Sequence, residues 1–212
     1  MGSRRLSSTF SPIFVLVGPF ADPKILREWA HSEFRKDAAV AFVGVDSGLD
    51  PLVASELPIT LGIGDLDGDG KEMRYAQEFP IVELPRSKER SDLAFALDFC
   101  AAQKTRAVYA FGFQGGRFDH ELAVHFDLSN ASRKIPRVVS VGEKGAVVYV
   151  DAKYSPLVLD AKGVSALREV AAPKTRRSRG RSKLVSLFPV GGPAVGVTVR
   201  GLRFPVLNGI LS

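Results

Sequence analysis

Cysteine occurs once in this chain, at position 100, so no disulfide can close within it. Cys100 sits in an apolar helical stretch, which reads as a buried structural thiol in a cytoplasmic setting and not as a nucleophile. Histidine is nearly as scarce, with three residues. His31 and His125 fall inside predicted helices, where packing is the plainer role; only His120, beside Asp119, has reactive company. No serine or cysteine occupies a nucleophile elbow, which argues against triad hydrolysis. No apolar run approaches the roughly 20 residues needed to span a bilayer. Arg4-Arg5 ahead of Ile13-Phe14-Val15-Leu16-Val17 loosely imitates a secretion signal, but the run reads better as a first strand. A Walker A sequence and a complete GxGxxG are both missing, so any nucleotide here needs a different phosphate cradle.

What is present is an ordinary globular composition, 45% hydrophobic and 25% charged over 212 residues, enough to bury one generous domain or two small ones. The net charge of +6 is local. Lys174, Arg176, Arg177, Arg179, Arg181 and Lys183 lie within residues 173–183; without these six the 29 basic residues fall to 23, matching the 23 acidic ones. A nucleic-acid face usually interleaves aromatic residues with its charges, and this loop has none. It reads either as a solvated tip or as a capture site for phosphates or RNA, the first being the plainer.

Up to residue 135 strand and helix patterns alternate. Strands are predicted near 13–17, 39–45, 60–63, 81–84 and 106–113, and helices near 22–35, 48–56, 70–78, 91–103 and 118–129. Asp22 as N-cap, Pro23 at the first helical position, and Ile25, Leu26, Trp29 and Phe34 facing inward define the first helix. Such alternation, with weakly periodic apolar strands, predicts an α/β domain over residues 1–135 with a mostly parallel, Rossmann-like sheet. From residue 136 onward the strands are short, β-branched and separated by Gly, Pro or charged turns, which predicts a small all-β domain over 136–212.

The most informative stretch is Ile63-Gly64-Asp65-Leu66-Asp67-Gly68, where two carboxylates leave an apolar strand with one residue between them. That spacing offers two hard oxygen ligands of the kind that hold Mg²⁺ bridged to phosphates. Asp65 also begins a D-x-D-x-D-G run like half a calcium loop, but the twelfth position is Ala76 and a strand precedes it, which argues against an EF-hand. Asp46, Asp92, and Arg117 with Asp119 also follow predicted strands, and ligands bind beyond the carboxyl ends of strands in open α/β sheets. Gly115-Gly116 lets backbone N–H groups approach an anion, and Arg117 adds a bidentate phosphate grip. The helix after them carries Phe118, Leu122 and Phe126 as an i, i+4, i+8 stripe.

In this order the residues resemble the thiamine pyrophosphokinases. Val45-Asp46-Ser47-Gly48 is similar to the family's D-G-G element and Gly64-Asp65-Leu66-Asp67 to its G-D-x-D-S. Lys88-Glu89-Arg90-Ser91-Asp92 resembles K-D-x-T-D, and Gly112 through His120 resembles G-x-x-G-G-R-x-D-H. Val185 to Pro189 and Gly196 to Leu202 are similar to strands of its second domain. The resemblance implies a homodimer whose α/β domain binds ATP and whose second domain, a β-sandwich, contributes to acceptor binding and dimerisation. The implied reaction moves the pyrophosphoryl group of ATP to the hydroxyl of thiamine and releases AMP. It further implies Asp65, Asp67 and Asp92 as Mg²⁺ ligands, Arg117 and Asp119 as further catalytic residues, and nucleotide contacts from Asp46, Lys88, Ser91, Gly115, Gly116, Arg117 and His120.

Two positions and the terminal segment depart from the family pattern. Gly68 stands for its Ser, Val124 for its Asn, and no terminal S-N element follows Asn208-Gly209-Ile210-Leu211-Ser212. The expectation is an acceptor pocket closed by the partner subunit and a raised KM for thiamine. A pyrophosphokinase acting on a pterin alcohol, and a non-catalytic nucleotide or RNA binder using the basic loop, are the alternatives; nucleic acid and membrane are not the expected partners.

Overall fold

A computed structural model describes residues 12–35, 38–65, 75–87, 89–142, 145–158 and 185–212. Two compact units divide at Pro173 and Lys174.

The first unit is built on a seven-stranded sheet. Its strands are β1 (Ile13–Val17), β2 (Val40–Val45), β3 (Ile59–Gly64), β4 (Ile81–Glu83), β5 (Ala107–Phe111), β6 (Val138–Gly142) and β7 (Gly145–Tyr149), in the order β4-β3-β2-β1-β5-β6-β7. The first six pair in parallel; β7 closes the edge antiparallel to β6. The strands IFVLV and AVYAF are buried at every position, as strands covered on both faces must be.

Alternation along β1 sorts the core. Ile13, Val15 and Val17 face one side with Leu26, Trp29 and Ala30 of helix α1 (Pro23–Glu33) and Leu52 of α2 (Leu49–Ala54). Phe14 and Leu16 face the other, with Leu93, Leu97 and Cys100 of α3 (Asp92–Ala102) and Val124 and Leu128 of α4 (Phe118–Ser132). Trp29 is fully buried, its ring 5.4 Å from Phe34, 5.5 Å from Tyr109 and 5.2 Å from Phe111. Burying a side chain of this size contributes about 3 kcal/mol. Burial also pushes the Cys100 thiol far above its ordinary range, as an inert packing residue requires.

The expected caps form. Asp22 accepts from the Ile25 N–H at 2.9 Å to start α1, and Ser91 accepts from the Ala94 N–H at 3.0 Å to start α3. His125 Nδ1 lies 2.5 Å from the Tyr149 hydroxyl, tying α4 to β7 in a packing role, whereas His31 is exposed in the last turn of α1.

One expectation meets a different arrangement. The boundary expected at 135/136 falls inside the sheet, because β6 extends the parallel pairing from β5 and turns back as β7 before the first unit ends. The stripe of Phe118, Leu122 and Phe126 is 81%, 44% and 52% exposed; α4 buries Val124, Leu128 and Ala131 instead. Most of the helix expected at 70–78 lies outside the described residues.

The second unit, taken by itself, contains an antiparallel pair, β8 (Ala194–Val199) and β9 (Val206–Leu211), with Ala194 opposite Leu211 and Val199 opposite Val206. No helix among the described residues is long and apolar enough to cross a membrane.

Candidate active site

Strand order reverses between β1 and β5: the chain runs outward from β1 through β4, then α3 carries it back so that β5 pairs on the other side of β1. Loops diverge at such a switch point and leave a crevice at the strands' carboxyl ends. A cleft of about 600 Å³ lies there, lined by Phe20, Asp46, Asp92, Arg117, His120 and Asp127 among others.

Backbone hydrogen bonds set its walls. The Gly18 N–H donates to the Phe111 carbonyl at 2.8 Å and the Phe20 N–H to the Gly112 carbonyl at 2.9 Å, zipping the loop after β1 onto the loop after β5. This lays Phe20 over the glycine turn so closely that a Cβ at Gly116 would come within 2.6 Å of its ring. Gly116 also holds φ +76°, a left-handed conformation that side chains resist. Asp46 leaves β2 with φ 51°, a region that aspartate enters more readily than most residues. It starts the short 3₁₀ turn Asp46–Gly48.

The charged groups are held in pairs. Arg117 donates through Nε and Nη2 to the two carboxylate oxygens of Asp119 at 3.1 and 2.5 Å. Those hydrogen bonds hold the exposed Asp119 carboxyl below its usual range and raise Arg117 correspondingly. The guanidinium is thereby pre-oriented, which is how a carboxylate serves an anion-binding arginine. The Gly115 N–H donates to Glu121 Oε2 at 3.2 Å. Ser91 Oγ, besides capping α3, donates to Asp127 Oδ2 at 2.6 Å and so ties α3 to the middle of α4.

Of the residues expected from sequence, Asp46, Ser91, Asp92, Gly116, Arg117 and His120 line the one cleft. Asp65 is half-buried at the end of β3 and does not line it; neither do Gly115 and Asp119, although both adjoin residues that do. Asp67, Lys88 and the basic loop 173–183 lie outside the described residues. Among the described residues no three His, Cys, Asp or Glu side chains gather closely enough to hold a metal ion.

The order of these elements is matched by known proteins. Residues 34–139 match the family described as thiamin pyrophosphokinase, catalytic domain, a span that runs from the end of α1 to β6 and contains every expected site residue. The chain belongs to the thiamin pyrophosphokinase family. It is a diphosphotransferase by that membership. The fold is similar to crystal structures of thiamin pyrophosphokinase from Geobacillus thermodenitrificans (TM-score 0.63, 20% identity, covering 94% of this chain and 83% of that one) and of thiamine pyrophosphokinase from Bacillus subtilis (TM-score 0.64, 17% identity, 95% and 84%). At such identities the likeness shows the fold alone. No curated protein sequence matches the chain.

Sequence reasoning missed two residues that line this cleft, Phe20 and Asp127, and one that accepts from its glycine turn, Glu121. Phe20 carries no signal beyond following a strand, Glu121 sits in the first turn of α4 where a dipole role hides it, and Asp127 lies mid-helix. The spacing of Val124 and Asp127, on one helical face, is the one cue that could have found Asp127.

Proposed function

We propose that this chain transfers the pyrophosphoryl group of ATP to the hydroxyl of thiamine, giving thiamine diphosphate and AMP, with Mg²⁺ as cofactor. The observation that carries the reading is the cleft at the β1/β5 switch point, which collects a pre-oriented arginine and several carboxylates inside the catalytic-domain match.

The donor set suits the ion. Asp46, Asp92 and Asp127 face the same space as Arg117. Carboxylates so placed repel a triphosphate unless a hard divalent cation lies between them and the phosphate oxygens. Asp92, which lines the cleft, would hold it, with Asp65 at the end of β3 and Asp67 assigned from the G-D-x-D resemblance, and when bound it would neutralise charge on the phosphates. The rest falls to the protein. Arg117, braced by Asp119, grips the oxygens where charge develops; Gly116 lets the backbone come close to a phosphate; Asp46, Lys88, Ser91, Gly115 and His120 complete the nucleotide contacts. Positioning and electrostatic stabilisation supply most of the rate in such transfers.

A homodimer in the cytoplasm, with the second unit as a β-sandwich that contributes to acceptor binding, completes the proposal. The antiparallel β8–β9 pair supports the β character of the second unit. Mass spectrometry of products from ATP, Mg²⁺ and thiamine tests the proposal. Thiamine diphosphate and AMP in equal amounts are expected; ADP with thiamine monophosphate would overturn it.

A further inference from the structure

We infer that Asp127 is a positioning residue that fixes the Ser91 hydroxyl as a hydrogen-bond acceptor toward the nucleotide cleft. The inference rests on the proposed function for what fills that cleft. A serine hydroxyl has one proton to donate and two lone pairs to accept with. In this structure the proton is committed to Asp127 Oδ2 at 2.6 Å, and one lone pair takes the Ala94 N–H at 3.0 Å. Among the described residues, what Ser91 has left is one lone pair.

That polarity changes what Ser91 can do. A phosphate oxygen is an acceptor, so a hydroxyl whose proton is spent on Asp127 cannot grip it by donation. It can instead accept from a donor, such as water in the shell of a cation or a ribose hydroxyl. Ser91, Asp92 and Asp127 all line the cleft, and Ser91 caps the helix on which Asp92 is the first residue. Asp127 thus anchors from α4 the end of α3 that presents Asp92. A hydroxyl–carboxylate bond of this length is among the stronger neutral-to-charged hydrogen bonds.

The test compares Asp127→Asn, which keeps an oxygen acceptor, with Asp127→Leu, which keeps the volume and loses it, each with and without Ser91→Ala. Asp127→Leu should raise the KM for Mg²⁺·ATP by about tenfold or more, the scale of a lost hydrogen bond to a charged group, with kcat affected less. Asp127→Asn should stay within about threefold of wild type, and Asp127→Leu in the Ser91→Ala background should add little. Without nucleotide, hydrogen exchange at the Ala94 amide should quicken in Asp127→Leu and not in Asp127→Asn. Equal effects of Asn and Leu, additive effects with Ser91→Ala, or unchanged KM and Ala94 exchange in Asp127→Leu would each overturn the inference. A wild-type protein that binds no Mg²⁺·ATP would instead sink the proposed function, and Ala94 exchange would still decide the role of Asp127.

Discussion

Replacing Gly48 by alanine would put a methyl carbon 2.0 Å from the Val17 carbonyl oxygen and 2.7 Å from its carbon. An ordinary contact begins near 3.4 Å, so the two segments must part by about 1.4 Å. Neither can yield cheaply: Val17 is fully buried and paired with Gly44 and Phe111, and Gly48 ends the turn that begins at Asp46. Overpacking of this kind costs about 1–3 kcal/mol, which in a chain of this size lowers Tm by roughly 2–12 °C. The displacement also reaches the site, because Asp46 is two residues away and lines the cleft. A misplacement of about 1 Å can cost ~10²-fold in rate. Calorimetry together with AMP release at saturating ATP would measure both. A Gly48→Ala protein melting within about 1 °C of wild type and turning over within twofold would refute the close-approach argument.

Asp65→Asn and Asp67→Asn should each lower Mg²⁺-dependent AMP formation by at least ~10²-fold with circular dichroism unchanged, and near-normal turnover of both at saturating Mg²⁺ would remove them from the cation site. Asp98 is held below the usual carboxylate range by hydrogen bonds from Lys134 first and then Arg90. Its contribution is therefore full above the unfolded value of about 3.9 and fades as pH falls through the lower folded value, so Asp98→Asn should flatten the acid limb of Tm against pH below about 4, at a cost under ~1 kcal/mol at neutral pH. Replacing Arg176, Arg177, Arg179 and Arg181 with Ser should leave Tm and turnover almost unchanged while weakening non-specific nucleic-acid binding at low salt; lost turnover with unchanged Tm would place that loop at the active site.

The first five strands and the four α-helices among the described residues were legible because their signals are local. Strands buried on both faces are continuous apolar runs, as in Ile13–Val17, and the caps at Asp22 and Ser91 carry their own chemistry. The extent of the first unit was not legible, because an edge hairpin such as β6–β7 has the same composition as strands of a separate β domain. The last strand, Val206–Leu211, was not legible either. Asn208-Gly209 has turn composition, yet Asn208 at φ 49° passes through the pair with a shifted register. In the cleft, Asp46, Asp92 and Arg117 announced themselves by following strands. Phe20 and Asp127 did not, since one is placed by the Gly112 carbonyl and the other by Ser91 across two helices.

A competition between thiamine and a hydroxymethyl pterin for ATP labelled in its β-phosphate tests the central claim most directly. The label should pass to thiamine in a single step, in amounts equal to the AMP released and dependent on Mg²⁺. Label appearing on the pterin, or remaining in ADP, would contradict it.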